Sequence, residues 1–336
     1  MAPLTPSASL PKSRRPRSLA AAPSRVPTSA STAFRQAAVP ERHDERHTEP
    51  EESGFYLPEN RIPPPSFEGL KNLIIVCCHA VFHPSPSLAS FPLYSPYEEQ
   101  NWHLASFQQS NPGTGKPGEH ETFLLHISTG LDTLAAGSWA DNSLLVFSGG
   151  VTKGDLCSVS EARSYYHAAL AQTFSQGHRN GGRVKTLFEK KRLLLEEYAT
   201  DSFQNLLFSI LLFRRTTGVY PEQIRVITHA FKSRRFLELH APVIRWPSDR
   251  IRAVGIDPAM SSEEHHDTVR GEKMYGYEPW VQDPLGTGVV LDRKRRLRGW
   301  NEDSANRVCE GLEGNVKALV AGELVEPLPW EKRPQS

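Results

Sequence analysis

Apolar and polar positions alternate along this chain in blocks that predict strands feeding helices. Leu73 to Ala80 reads LIIVCCHA, a short continuous apolar run of the kind that forms a strand buried on both faces. Thr122 to Ala136 places Phe123, Leu124, Ile127, Leu131 and Leu134 at helical spacing. Leu144 to Phe147 predicts a second strand running into Ser148-Gly149-Gly150, and Ser160 predicts the cap of the next helix. Leu193 to Leu195 predicts a third strand, ending in Glu196 and Glu197. Asp201 followed by Gln204 predicts a capping box for a helix that runs to Arg215. Ile224 to Thr228 and Ile251 to Ile256 predict two more strands around a short helix over Ser233 to His240. Strands alternating with helices at this spacing imply α/β architecture, a Rossmann-like three-layer sandwich with a mostly parallel sheet.

The flanks differ from this core. Residues 1–66 are rich in Pro, Ser, Ala and Arg and poor in large apolar side chains, the composition of a disordered tail. Residues 67–258 carry the strand and helix pattern. Between Phe82 and Gly118 the chain is Pro-, Ser- and Gly-rich, with one helix expected over Tyr97 to Gln108. Residues 259–336 read as an extension with a polar cluster at 263–267, an Asp283-Pro284-Leu285-Gly286 turn, a basic run from Arg293 to Arg298 and a helix over Ala305 to Leu324.

With 39 basic and 38 acidic residues among 336, no global charge draws the chain to nucleic acid or an anionic membrane. No apolar run reaches the roughly 18 residues of a membrane span. Cys77, Cys78, Cys157 and Cys309 lack CxxC spacing, which disfavours a zinc knuckle and favours a reduced intracellular compartment, the cytoplasm. Mitochondrial import is the minority reading, because the basic, acid-free first forty residues are interrupted by prolines at 3, 6, 11, 16, 23 and 27.

Parallel strands bring their carboxyl ends to one edge, where open α/β sheets bind ligands. Ser148, Gly149 and Gly150 then offer backbone amides to an anion, or simply make a tight turn, and Ser160 adds a helix start. Glu161 and Glu196 supply two carboxylates for acid-base work or for a divalent metal, a choice the residues leave open. Ser148 at its strand-to-turn corner is also a conceivable nucleophile. His79 and His229 follow strands directly and are either ligand-facing or core histidines. Arg235 suits a phosphate or carboxylate, with Lys232 and Arg234 beside it. The basic run reads as solvated or crevice-flanking, and the histidines at 265 and 266 as solvated.

Three segments in order carry a family resemblance: Ser148-Gly149-Gly150 with Ser160-Glu161-Ala162, then Glu196 through Asn205, then Ile227-Thr228-His229 leading to Arg235. Together they resemble the domain of unknown function 218 family, the SanA- and YdcF-like group, over roughly Leu73 to Ile256. Glu196, Asp201, Ser202, Gln204, Asn205, Thr228 and Arg235 match the family pattern. Ala199 stands where Ser is frequent, His229 where Ser is usual and Lys232 where His is frequent. The Asp-Pro-x-Gly turn and the basic run look like the extension of fungal members. The resemblance implies a polar crevice for a small-molecule ligand, nucleotide-like, adenosyl or phosphorylated, with hydrolase or transferase chemistry or none. It implies no particular reaction and no oligomeric state.

Overall fold

Five of the predicted strand segments pair into one parallel sheet in a computed structural model that describes residues 66–84, 93–178 and 181–331. The expected tail at 1–66 lies outside these residues apart from Ser66. The strands are β1 (Asn72–Cys77), β4 (Ser143–Ser148), β5 (Leu193–Glu196), β6 (Gln223–Thr228) and β7 (Ile251–Gly255), in spatial order β5-β4-β1-β6-β7. A two-stranded antiparallel ribbon, β2 (Val81–Phe82) with β3 (Trp102–His103), lies beyond the end of β1.

Side chains alternate across the sheet as the pleat requires. In β1, Leu73, Ile75 and Cys77 join one core layer while Ile74 and Val76 join the other, with Leu144 and Val146 against Leu145 and Phe147 doing the same in β4. Both faces are therefore covered, which is why these strands read as unbroken apolar runs. On the second face pack α1 (His120–Thr133), α2 (Glu161–Ser175) and α3 (Gly182–Glu189). Helix α1 comes so close that a Cβ on Gly130 would stand 2.7 Å from Val76 Cγ2. On the first face lies α4 (Ser202–Thr217), whose Leu206, Leu207, Ile210, Leu211 and Phe213 are buried.

The chain then enters a continuous helical stretch, with a π-helical segment at Arg235–His240 running into α5 (Ala241–Val243). The extension contributes α6 (Ser262–Gly271), α7 (Glu278–Gln282), α8 (Val289–Leu297), α9 (Glu302–Cys309) and α10 (Gly314–Val320). Its Trp280, Leu291, Val308, Val316, Leu319 and Trp330 are buried in the same cluster as α4. Trp330 is tied at both ends, its indole donating to the Ile244 carbonyl at 2.7 Å and its own carbonyl accepting from Arg250 at 2.9 Å. The described residues belong to one compact unit, Pro63–Ser336.

Two expected helices differ. Over Tyr97 to Gln108 there are two short 3-10 turns, Glu99–Asn101 and Ser106–Gln108, separated by β3, because Trp102 is buried on the ribbon while Phe107 is 71 % exposed. The helix expected over Ala305 to Leu324 is two, broken where Gly311 takes a φ of 72°. The polar cluster at 263–267 is helical within α6, with His265 and His266 exposed.

Candidate functional site

Counted along the chain, the sheet grows from β1 through β4 to β5 on one side and then from β6 to β7 on the other. The direction of winding reverses between β1 and β6, and the carboxyl ends of those strands flank the crevice of a doubly wound fold. All the residues singled out in the sequence lie at or near this edge, and they divide into two groups.

The group at β4 and β5 is closed on itself. Ser148, fully buried, donates to Glu196 Oε2 at 2.6 Å and lies 3.1 Å from Asn205 Oδ1. Glu196 Oε1 accepts the amides of Tyr198 at 2.7 Å and Ala199 at 3.1 Å, so the carboxylate locks its own turn. Burial pushes the Glu196 carboxyl up to about 7 against the opposing pull of Ser148 and the two amides. Asp201 caps α4 by accepting from the Gln204 amide at 2.9 Å and pairs with Arg295 at 2.7 Å. Gln204 reaches Thr200, one residue earlier than a capping box requires, accepting from its amide and hydroxyl at 2.8 and 2.7 Å. Ser202 and His240 Nε2 are 2.8 Å apart.

These contacts correct three expectations. The Gly149 and Gly150 amides are donated to the Glu196 and Ala199 carbonyls at 3.0 and 2.7 Å, so they are not offered to an anion. The carbonyls of Gly150 and Gly149 in turn accept the first amides of α2, from Glu161 and Ala162. Ser160 caps α2 by accepting from the Arg163 amide and donates to Glu197 at 2.6 Å. Ser148 is buried under Glu196, away from any position for nucleophilic attack. Glu196 is a turn lock rather than a free acid or base. The glycines are needed for room: a Cβ on Gly149 would meet Glu161 Oε2 at 2.9 Å, and one on Gly150 the Ala199 carbonyl at 2.9 Å.

The group at β1 and β6 leaves buried polar atoms unpaired. His79, partly exposed, lies with its ring centre 4.6 Å from that of His229 and 5.8 Å from that of His126. Thr228 Oγ1 is 3.3 Å from His79 Nε2. His229 is fully buried and neither ring nitrogen has a hydrogen-bond partner, although Glu119 Oε2 stands 3.6 Å from its Nε2. His126 Nε2 lies 2.9 Å from the Ile256 carbonyl. Burial, with Lys232 nearby, holds His79 and His229 well below the ordinary imidazole range, so both are neutral at pH 7. Burial raises the Glu119 carboxyl, against Lys232 and Lys116.

Lys232 is the centre of this half. Burial, and then the charge of Arg235, lower its ammonium to about 8, while Glu272 and Glu119 oppose the shift. No carboxylate among the described residues lies within 4 Å of it. Arg235 is different, because Glu272 holds it at 2.8 and 2.9 Å, a buried pair that joins β6's helical stretch to the extension. Arg234 is exposed and pairs with Glu238. Glu161 is buried between Gly149 and Cys78, accepts a hydrogen bond from Thr152, and has its carboxyl raised by burial against the nearby charges of Arg298, Lys153 and Lys232.

Sequence reasoning missed Glu119, His126, Lys153 and Glu272, and named Arg295 only as a member of the basic run, where the structure buries it. The signal for His126 was present, since it falls inside the apolar stripe of α1. Among the described residues, no group of three or more His, Cys, Asp or Glu is arranged to hold a metal ion. A surface cleft of about 470 Å³, lined by Pro242, Val243, Arg245, Asp283, Leu285 and Leu324 among others, includes none of the strand ends. Its polar groups are engaged, Asp283 by the amides of Thr287 and Gly288 and Arg245 by Glu326.

The chain is similar to the protein YOR238W of Saccharomyces cerevisiae, described as uncharacterized. The two are 29 % identical over 262 residues, 67 % of this chain and 82 % of the yeast protein. No family model matches, and no solved structure matches. Among the described residues, no helix is long and apolar enough to cross a membrane.

Proposed function

We propose that this chain is of the domain of unknown function 218 type and binds a phosphorylated or nucleotide-like small molecule at the carboxyl edge, between the ends of β1, β4 and β6. The observation that carries this reading is Lys232: a desolvated ammonium at the winding reversal, beside Arg235 and two neutral imidazoles, with no carboxylate within 4 Å among the described residues. Keeping a cation in such surroundings costs stability, and an anionic ligand offsets that cost. We further propose an intracellular, cytoplasmic location, which the four free thiols support.

Binding without turnover is the reading favoured by the locked Glu196. A hydrolase or transferase reading is favoured by His79, a neutral imidazole facing the same edge as the buried Glu161. Thermal-shift titration with inorganic phosphate, ADP and adenosyl compounds tests the proposal, followed by product analysis of any ligand that binds. Stabilisation by phosphorylated compounds that is lost in Lys232→Met supports it; equal melting with and without every one of them refutes it. Product release from the bound compound selects the catalytic reading.

A further inference from the structure

Lys232 is not the only unneutralised cation on this edge. The end of α8 folds back over the strand ends: a Cβ on Gly299 would stand 3.4 Å from the Val151 carbonyl, and Arg298 donates to the Thr200 carbonyl at 2.6 Å. Arg298 is thereby fixed between the loop after β4 and the turn after β5. From that β4 loop, Lys153 donates to the His103 carbonyl across the edge. No carboxylate among the described residues lies within 4 Å of Arg298, Lys153 or Lys294. The neighbouring basic groups do have partners: Arg295 is held by Asp201 at 2.7 Å, Arg235 by Glu272 at 2.8 Å and Arg296 by Asp292 at 2.8 Å.

Glu161 feels the charges of Arg298, Lys153 and Lys232 together, and its carboxyl is raised by burial. One shielded carboxyl cannot neutralise three cations drawn from three separate segments. We propose that the β4 loop and the end of α8 build a second anion subsite, with Arg298 and Lys153 as its contacts and Lys294 at its outer margin, next to the Lys232 subsite. The ligand therefore carries two linked phosphoryl groups, as in a nucleoside diphosphate or inorganic pyrophosphate, one for each subsite. This inference rests on the reading of the edge as a phosphate site and adds the number of phosphoryl groups and the part played by the extension. It also gives a physical role to Lys294 and Arg298, the members of the basic run that repel each other and have no carboxylate within 4 Å among the described residues.

Calorimetric titration of the full chain with orthophosphate, pyrophosphate, AMP and ADP at one fixed low ionic strength tests it. The expected result is that pyrophosphate binds about tenfold or more tightly than orthophosphate, and ADP than AMP, because the second contact is made intramolecularly. In Arg298→Gln those ratios should fall toward one. Lys153→Met, which leaves the Arg298 to Thr200 hydrogen bond in place, should reduce them as well and guards against a loosened α8. If monophosphates bind and the second phosphoryl group adds nothing, or the ratios survive both substitutions, the two-subsite inference fails while the phosphate site stands. If none of the four compounds binds, the phosphate reading itself fails.

Discussion

The two halves of the carboxyl edge both gather polar residues and treat them in opposite ways. At β4 and β5, Ser148, Glu196, Asp201, Ser202 and Asn205 engage one another or nearby backbone, so polar capacity is spent inside the protein. At β1 and β6, His229 has no hydrogen-bond partner and Lys232 has no carboxylate within reach among the described residues. An unpaired buried polar group costs about 1–3 kcal/mol. A cost of this kind can be relieved by a group from outside the chain, so the half that leaves His229 and Lys232 unpaired is the one we propose as functional, with the other half as its frame.

That contrast is broken most severely by removing the frame. Glu196→Ala leaves two amides without their acceptor and the Ser148 hydroxyl with only Asn205 to accept from it, and should cost about 4 kcal/mol in urea denaturation. On the other half, Lys232→Met should leave stability equal or raised while weakening phosphate-ligand binding about 10- to 100-fold by calorimetry, the worth of a charge-assisted contact. An equal loss of stability in both variants would erase the distinction between the halves.

Two pH experiments sharpen it. Because Lys232 sits at about 8, ligand affinity should hold below that pH and fall, by up to about tenfold per unit, as the ammonium deprotonates above it. Glu196 shifts the other way, from 4.5 to about 7. The folded state therefore holds that proton more tightly than the unfolded chain, and stability from this group is present at low pH and lost as pH rises through 7. Glu196→Gln should flatten that part of the stability profile without altering the alkaline fall in affinity. The smallest effect belongs to Arg293→Ala, exposed on α8, which should change stability by less than about 0.5 kcal/mol.

The sheet was legible in the sequence because its central strands β1 and β4 are buried on both faces and so appear as unbroken apolar runs, while β5, β6 and β7 keep enough apolar positions to mark them although Arg225 and Arg252 interrupt the last two. Which of the polar strand ends are free was not legible. Glu196 and Lys232 look alike as charged residues after strands, and only the course of the β5 turn shows that one carboxylate folds back onto its own amides. The glycines of Ser148-Gly149-Gly150 carried a double meaning, tight turn or anion binding, and the β5 turn resolved it by taking their amides on the Glu196 and Ala199 carbonyls. Lys153 and Glu119 lie in loops without periodicity, so nothing in the local pattern pointed to them. Arg298 was visible as part of a basic run, but its separation from Arg295 and Arg296 depends on which members find acids. That is a matter of tertiary contact.

The central claim is that Lys232 is a desolvated, unneutralised ammonium awaiting a phosphate. Its titration can be followed directly by heteronuclear NMR of the lysine side chains, assigned with Lys232→Met, in the free protein and with saturating ADP. The account predicts a midpoint of about 8 in the free protein and a clear upward shift with ADP bound. A midpoint near 10.5 in both states would contradict it.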